Sequence, residues 1–334
     1  PRKGAIIQIS KLKILGPDLG SSNQLKIKII KESTMAKPVI GFIGVGLMGA
    51  GMAKNILAKG YPLVIMGHSN REPIERLKKL GAVEAKTAKE LAAQVDIVHL
   101  CVTGSPQVEA IMNGAEGIFA SAKKGLIVID CSTSNPVSTM SLAQSAQAHG
   151  MTFIDAPLGR TPAEAEAGTL DTMVGSDQAT FDKVKTILDC WAGNVVHLGP
   201  VGLGHKMKMI NNFIAMGYAA LYSEAIGIAR KAGLSKEQFH AVIGSSRMRN
   251  GFYDTFMKWT MEGDENAHRF TISNAHKDMR YLSSLANEVG ALHPIQSMVK
   301  NSFASMEAAG QAQRYVPMLA DFVAIQNGLP PSQS

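Results

Sequence analysis

The sequence lacks the cysteine pattern of a disulfide-stabilised or metal-binding protein and has no clean membrane-length apolar run. It contains three cysteines, Cys101, Cys131 and Cys190, and none are in CxxC spacing. Three unpaired thiols predict a reducing, cytoplasmic location. One apolar stretch, 209–229, approaches membrane length, but it contains Asn211, Asn212 and Glu224, which a lipid-facing helix rarely tolerates. We therefore expect no membrane partner.

The chain also lacks a charge distribution typical of nucleic-acid binding. The net charge is +7, but residues 1–34 hold seven Lys or Arg against two acids, so the remaining 300 residues carry only +2. A nearly neutral body argues against a nucleic-acid partner. Residues 1–34 also lack the apolar core and cleavage site of a secretory signal. Because Met35 begins a segment typical of a natural start, we interpret 1–34 as a disordered or artificial extension, with a targeting peptide as the alternative.

The order of apolar segments predicts two domains. A chain of 334 residues suffices for about two domains. From residue 38, short apolar runs alternate with helix-compatible segments, which predicts a parallel sheet covered by helices on both faces. The strand candidates are PVIGFIG, PLVIMG, DIVHLCV, GLIVIDCS, MTFIDAP and NVVHLGPVG. Because nearly everything after residue 206 is compatible with helix, we predict an α/β domain over 35–201 and an all-α domain over 202–330.

A glycine motif lies between the first predicted strand and the first helix. Gly44, Gly46 and Gly49 form GxGxxG. In this context the first glycine permits a tight turn, the second lets the backbone approach a pyrophosphate, and the third lets the helix pack on the strand. The motif predicts a Rossmann-type dinucleotide-binding domain, with Leu47 and Met48 also at the coenzyme. A turn that serves only packing is the alternative.

The end of the second strand distinguishes NAD from NADP in such domains. An acid there binds the ribose 2′-hydroxyl of NAD, whereas an arginine without that acid suits the 2′-phosphate of NADP. Here Gly67 and His68 follow the strand, and then come Ser69, Asn70 and Arg71. These last three residues are candidates for the phosphate, so NADP(H) is favoured, with NAD(H) as the alternative. Arg71 as a solvated residue of the first helical turn is the other interpretation.

The segment GLGHKMKMINNF carries the candidate catalytic residues. Lys208, Asn211 and Asn212 lie at i, i+3 and i+4, so they share one helix face. The residues that follow are apolar nearly all round, which predicts a buried helix. A lysine at such a position needs a partner or a function, and burial lowers its pKa toward the range of a proton donor. A structural lysine whose ammonium reaches solvent is the alternative.

Five ordered motifs identify a family. The glycine loop is followed by DCST (130–133), DAP…GTL (155–170), GLGHKMKMINN (202–212) and AHKDM (275–279). Over about residues 37 to 327 the chain resembles the β-hydroxyacid dehydrogenases, which include 3-hydroxyisobutyrate, tartronate semialdehyde and 6-phosphogluconate dehydrogenases. The resemblance implies an NAD(P)-dependent oxidoreductase in which Lys208 is the acid/base and Asn212, beside Asn211, holds the substrate. It also implies that Ser132 contacts the substrate, and that four residues contact the coenzyme: Val102, Thr103, Thr133 and Lys277. Read without the family, Lys277 and Asp278 are a solvated helix pair.

The loop after DAP departs from the family pattern. Most members continue with Val-Ser-Gly-Gly, whereas this chain has LGRT. Thr161, followed by Pro and by Glu164 three residues on, has the features of a helix start, so Arg160 precedes a helix N-terminus that favours anions. The variant resembles family members that reduce sulfolactaldehyde, which implies that Arg160 holds the sulfonate, with Gly159 and Thr161 beside it. An Arg160 paired with Glu164 or Glu166 is the alternative.

These interpretations predict an NAD(P)H-dependent reductase of a small anionic β-semialdehyde, foremost 3-sulfolactaldehyde to 2,3-dihydroxypropane-1-sulfonate. A carboxylate substrate of the 3-hydroxyisobutyrate, tartronate semialdehyde or succinate semialdehyde type is the alternative. A non-catalytic nucleotide-binding scaffold is a remote alternative, because Lys208 and Asn212 are both present. The family's long helix, here about 206–231, commonly mediates dimerisation, so a homodimer or homotetramer is expected. No metal site is expected.

Overall fold

The structure, a computed structural model, describes residues 37–332, so the extension over 1–34 lies outside the described residues. Its strands are β1 Ile40–Ile43, β2 Leu63–Met66, β3 Val83–Ala85, β4 Ile97–Leu100, β5 Ile127–Asp130, β6 Thr152–Asp155, β7 Leu158–Gly159, β8 Leu170–Gly175 and β9 Ala192–Gly199. The helices beside these strands are α1 Gly49–Ala58, α2 Glu72–Lys79, α3 Ala88–Gln94, α4 Ser105–Asn113, α5 Pro136–Ala148, α6 Pro162–Ala167 and α7 Gln178–Leu188. The later helices are α8 Leu203–Lys231, α9 Lys236–Ile243, α10 Gly251–Glu262, α11 Ile272–Glu288, α12 Pro294–Met306 and α13 Leu319–Gln326.

The strands form one sheet in the order β3-β2-β1-β4-β5-β6-β8-β7, with β9 beside β8. Strands β1 to β6 are parallel, and β8 pairs antiparallel with β6 and β7. The order reverses at β1, which lies between β2 and β4. In open α/β sheets, ligands bind beyond the carboxyl ends of strands at such a switch point. The predicted fold, a Rossmann-type α/β domain followed by an all-α domain, is confirmed.

Both faces of the sheet are apolar because helices cover both. All four residues of β1 are buried. Phe42 faces a core formed with Met52 of α1, whereas Ile43 faces the opposite core with Leu91 of α3. This two-sided burial is why the parallel strands read as continuous apolar runs.

Three strands, β3, β7 and β8, were not among the strand candidates. β3 and β7 contain three and two residues, which is too short to give a pattern. β8 alternates buried with half-buried positions as LDTMVG, so it does not have the continuous apolar character of the parallel strands. The final strand also begins at Ala192, before the predicted run at 194–202. The sheet is therefore mixed at one edge.

The prediction that the long helix is buried all round is wrong for the single chain. The inner side of α8 packs in the helical core with Tyr253, Phe256 and Phe303. Its outer side presents a stripe of exposed apolar side chains, which we call the α8 stripe: Met207, Ile210, Ile214, Tyr218, Leu221 and Ile228. The exposed Glu224 interrupts this apolar stripe between Leu221 and Ile228. None of the helices between residues 37 and 332 is long and apolar enough to cross a bilayer.

Candidate active site

The glycine loop leaves space where a phosphate group would lie. Gly44 has φ +99°, and a Cβ there would come 2.2 Å from the Cys101 carbonyl oxygen. A Cβ on Gly49 would lie 2.0 Å from the Gly44 carbonyl oxygen, so this helix start packs directly on the strand. A Cβ on Gly46 would meet nothing within 4 Å. No side chain caps α1, whose N-cap is Met48, and Leu47 is exposed beside it. The loop therefore fits a dinucleotide pyrophosphate.

The residues after β2 have partners that the sequence did not predict. Arg71 contacts Glu84 of β3 through both terminal nitrogens, at 2.7 and 2.9 Å, and Glu75 at 2.9 Å. The hydrogen bonds from Arg71 are the main reason that the pKa of Glu84 is lowered to about 2. Ser69 Oγ lies 3.1 Å from His68 Nδ1, and Asn70 accepts the backbone N–H of Glu72. Arg71 is thus a member of an ion-pair cluster, not a simply solvated residue.

The loops after β4 and β5 meet at the predicted coenzyme site. The Val102 N–H donates to Ser132 Oγ at 3.0 Å. From the helical domain, Lys277 Nζ donates to the carbonyl oxygens of Thr103 and Thr133. The structure therefore brings together the predicted residues of both loops, and Lys277 joins them to α11.

Asn212, one helical turn after the predicted catalytic Lys208, connects α8 to this junction. Asn212 is buried, and its amide donates to Asp278 Oδ2 at 2.7 Å. Asp278 Oδ1 lies 3.3 Å from Lys277 Nζ. Asn211 is exposed and reaches only its neighbour, at 3.5 Å. Of the three polar residues Lys208, Asn211 and Asn212, only Asn212 is hydrogen-bonded to the buried Asp278.

Asp278 is the functional candidate that the sequence interpretation missed. It is fully buried, so the interpretation of Lys277 and Asp278 as a solvated helix pair is wrong. Burial lowers the pKa of Lys208, Asp278 opposes that shift, and Lys277 adds to it. Lys208 has no hydrogen-bond partner among residues 37–332, so its ammonium remains available for a ligand. The only sequence signal for Asp278 was its position in AHKDM.

A buried polar network fixes the start of α8, one turn before the lysine. Asp155, at the end of β6, accepts the backbone N–H groups of Gly202 and His205 at 2.6 and 2.7 Å. The His205 ring contacts Thr139 Oγ1 at 2.7 Å and the Ser132 carbonyl at 3.1 Å. Burial raises the pKa of Asp155, while His205 and the two N–H groups oppose the shift. The network ties the candidate substrate loop to the helix that carries Lys208.

The loop with Arg160 has the predicted helix start but a different ion-pair partner. Thr161 caps α6 in a capping box with Glu164, as predicted. The alternative that Arg160 pairs with Glu164 or Glu166 is wrong, because its Nε donates to Asp171 Oδ2 at 2.8 Å. Within the described residues, Nη1 and Nη2 of Arg160 have no hydrogen-bond partner. Gly159 pairs with Asp171 in the sheet.

Arg160 also has φ +74°, a left-handed conformation that is rare for residues other than glycine. The family pattern Val-Ser-Gly-Gly, to which this loop was compared above, would place a glycine here, and glycine adopts this conformation without strain. Holding an arginine there costs about 1 kcal/mol. No described contact joins Arg160 directly to Lys208; they are linked through β6 and Asp155.

A second missed residue is His268, between α10 and α11. Its ring packs edge-on against Phe252 and Phe270, and its Nε2 is buried without a hydrogen-bond partner in the described part of the chain. Burial lowers its pKa to about 4, and the nearby Lys208 contributes to that shift. No sequence motif contained this residue. Among residues 37–332, no group of three or more His, Cys, Asp or Glu is placed to hold a metal ion.

Known proteins match both halves of the chain. Residues 39–199 match the family described as the NAD binding domain of 6-phosphogluconate dehydrogenase, and residues 202–320 match the NAD-binding domain of NADP-dependent 3-hydroxyisobutyrate dehydrogenase. The 2-(hydroxymethyl)glutarate dehydrogenase of Eubacterium barkeri is 31% identical over 81% of this chain and 90% of that protein. The 3-sulfolactaldehyde reductase of Escherichia coli (strain K12) is 26% identical over 87% of this chain and 97% of that protein.

A solved structure shows the same fold. The 3-hydroxyisobutyrate dehydrogenase of Mycobacterium tuberculosis with L-serine has a TM-score of 0.77 at 24% identity, covering 86% of this chain and 99% of that chain. The glycine loop, the switch-point sheet and the helical second domain thus occur together with matches to both family models. The chain belongs to the β-hydroxyacid dehydrogenase family and is an NAD(P)-dependent oxidoreductase.

Proposed function

We propose that this enzyme reduces a small anionic β-semialdehyde, foremost 3-sulfolactaldehyde, with NADPH favoured over NADH. In this proposal residues 35–201 bind the coenzyme, and residues 202–330 supply the proton donor. The observation that carries the substrate assignment is Arg160, which adopts a left-handed conformation while both terminal nitrogens lack a hydrogen-bond partner within the described residues. An arginine fork of this kind suits an oxyanion with several acceptor oxygens.

The chemistry follows from the residues around Lys208. NAD(P)H, which the glycine loop would hold, would supply the hydride that reduces the aldehyde carbon. Lys208, whose pKa is lowered by burial, donates a proton to the carbonyl oxygen as it becomes the alcohol oxygen, and it regains a proton from solvent. Asn212 is held by Asp278 and orients the carbonyl. Ser132 Oγ accepts the Val102 N–H, which leaves its own hydrogen free to donate to substrate.

Asp171 orients the Arg160 guanidinium without occupying the nitrogens proposed to bind the substrate. It uses one carboxylate oxygen for Arg160 Nε, so the guanidinium is oriented from one edge. Nη1 and Nη2, which have no hydrogen-bond partner within the described residues, are then two donors for a sulfonate. Charge-assisted hydrogen bonds of this kind contribute about 1.5–3 kcal/mol, or about 10–100-fold in discrimination.

The test compares kcat/KM for sulfolactaldehyde, tartronate semialdehyde and succinate semialdehyde, each with NADPH and NADH, in wild type and Arg160→Gly. Glycine removes the guanidinium without straining the backbone, because φ is +74° there. Sulfolactaldehyde should be the best substrate and should lose about tenfold or more. Arg249→Ala, which removes a similarly exposed Arg–Asp pair at 2.7 Å, is the control and should change little.

A carboxylate substrate is the second candidate. The relative at 31% identity is named a 2-(hydroxymethyl)glutarate dehydrogenase, and a carboxylate also binds an arginine fork. If a carboxylate semialdehyde has the highest kcat/KM, or if Arg160→Gly leaves every substrate unchanged, the sulfonate assignment is wrong. Family membership does not depend on that result.

We also propose that the α8 stripe forms the interface of a homodimer or of a larger homo-oligomer. Three of its members, Ile214, Leu221 and Ile228, are 52%, 61% and 70% exposed in the single chain. An apolar stripe of that length is normally covered. Ile214→Glu should therefore reduce the mass measured by light scattering, whereas Val83→Glu, at an equally exposed position on β3, should not. An unchanged mass for Ile214→Glu would refute this interface.

The three free cysteines favour a reducing, cytoplasmic compartment. Cys101 and Cys131 lie at the carboxyl ends of β4 and β5, and burial, with a contribution from Asp130, raises the pKa of Cys101 to about 12. Burial also raises the pKa of Cys131, so both side chains are held as thiols at neutral pH. Fractionation of cells with an antibody to the chain tests the compartment.

A further inference from the structure

A charge cluster lies at the end of β2, where the coenzyme ribose is expected. Arg71 makes a two-point contact with Glu84, at 2.7 and 2.9 Å, and a single contact with Glu75 at 2.9 Å. Lys78 Nζ lies 3.2 Å from Glu84 and 3.3 Å from Glu75. Two cations therefore face two carboxylates, and the cluster has no net positive charge for a 2′-phosphate.

Gly67 makes room for this cluster. A Cβ at that position would lie 2.8 Å from Arg71 Nη1, 2.8 Å from Glu84 Oε1 and 2.4 Å from Ile74 Cδ1. An acidic side chain at this position, as in NAD-specific domains, is therefore incompatible with the pair as it stands. The carboxylate of Glu84 instead approaches the end of β2 from β3, where Glu84 pairs with Ile65.

We propose that Glu84 sets coenzyme specificity: it supplies from β3 the carboxylate that is missing after β2 and restrains the arginine that would bind a 2′-phosphate. This inference rests on the proposed coenzyme site. The Glu84 carboxylate accepts the ribose 2′-hydroxyl of NADH, and it competes with the 2′-phosphate of NADPH for the Arg71 fork. The enzyme thus uses both coenzymes, with a smaller NADPH preference than Arg71 alone would give.

The size of the effect follows from the exposure of the pair. Carboxylate and phosphate both bind an arginine fork at two points, so only one occupies it at a time. The side chains of Arg71 and Glu84 are 50% and 22% exposed, so solvent and salt screen the pair. Releasing Arg71 should therefore strengthen NADPH binding by about fivefold, the scale of one exposed charge pair.

The experiment measures Kd for NADPH and NADH by isothermal titration calorimetry with the full chain. Glu84→Gln keeps the shape of the side chain and removes its charge, and it should tighten NADPH by about fivefold without tightening NADH. Glu75→Gln makes the same charge change but leaves the two-point contact intact, so it should shift the NADPH/NADH ratio by less than about twofold. Glu84→Ser is a second variant with the same expected direction.

Two results overturn the proposal. One is an unchanged or weaker NADPH affinity in both Glu84 variants, which would mean that Glu84 positions Arg71 for the phosphate or has no effect on it. The other is an equal shift in Glu75→Gln, which would reduce the effect to net charge. Arg71→Ala separates this from the underlying assignment: if it leaves NADPH affinity unchanged, the proposed coenzyme site itself is wrong.

Discussion

His99 offers a sharp test of the sheet core, because it is a titratable side chain that is buried without a hydrogen-bond partner in the described residues. It is fully buried on β4, stacked on Phe42 with ring centroids 5.5 Å apart, and edge-on to Trp191 at 6.1 Å. Neither ring nitrogen has a hydrogen-bond partner within residues 37–332. Burial lowers its pKa from 6.5 to about 3. The native protein therefore holds this imidazole neutral.

The pH dependence of stability follows directly. Because the folded pKa lies below the unfolded one, the unfolded chain binds the extra proton, and stability is lost as pH falls below 6.5 toward 3. At about 1.4 kcal/mol per pH unit, protonation of this group in the unfolded chain removes about 3 kcal/mol of unfolding free energy by pH 4.5. His99→Phe should abolish that part of the acid sensitivity.

The assay is urea unfolding at pH 7.5 and pH 4.5 for wild type, His99→Phe and Phe42→Leu. The difference in unfolding free energy between wild type and His99→Phe should change by about 3 kcal/mol between the two pH values. Phe42→Leu alters the same stack without removing the imidazole, so it should lower stability at both pH values and keep the wild-type acid sensitivity. Equal acid sensitivity in wild type and His99→Phe would refute the reasoning.

Two further predictions concern the site. The Asp278 carboxylate opposes the lowering of the Lys208 pKa, so Asp278→Asn should lower that pKa further. The alkaline limb of kcat/KM for reduction, where the proton donor is lost as pH rises, should therefore move to lower pH. A limb that stays in place would exclude Lys208 as the titrating group. Gly46→Ala enters open space and should weaken coenzyme binding with little change in Tm, whereas Gly49→Ala, 2.0 Å from a backbone oxygen, should lower Tm strongly. Calorimetry of both variants checks this, and equal losses of Tm would contradict it.

Local features of this chain were predictable because their physics is local. The turn at Gly44 and the cap at Thr161 depend on residues within one turn of each other, and the structure has both. The parallel sheet was also predicted, because continuous apolar runs that alternate with helices are typical of strands covered on both faces. The coenzyme domain was therefore accessible from the sequence.

Long-range partners were not predictable. Glu84 follows Arg71 by 13 residues and meets it only because β2 and β3 are adjacent. Asp171 meets Arg160 through the pairing of β7 with β8. β7 has only two residues, and β8 lacks the continuous apolar character of the parallel strands. A charged residue whose partner is far away in the sequence cannot be distinguished from a solvated one by its neighbours alone. The sequence therefore predicts an exposed Asp278, whose partner Asn212 lies 66 residues away.

The helical domain is attached to the sheet in two different ways, and the difference bears on how coenzyme enters. Asp155 is fully buried and binds backbone N–H groups at the start of α8, so breaking it would expose an unpaired carboxylate and two donors. Lys277 instead donates to carbonyl oxygens of the Thr103 and Thr133 loops, which solvent reaches. Breaking the Lys277 contacts therefore costs less, because water replaces them. We therefore expect the Lys277 contacts to break more readily than those of Asp155, so that α8, and with it Lys208, stays fixed to β6.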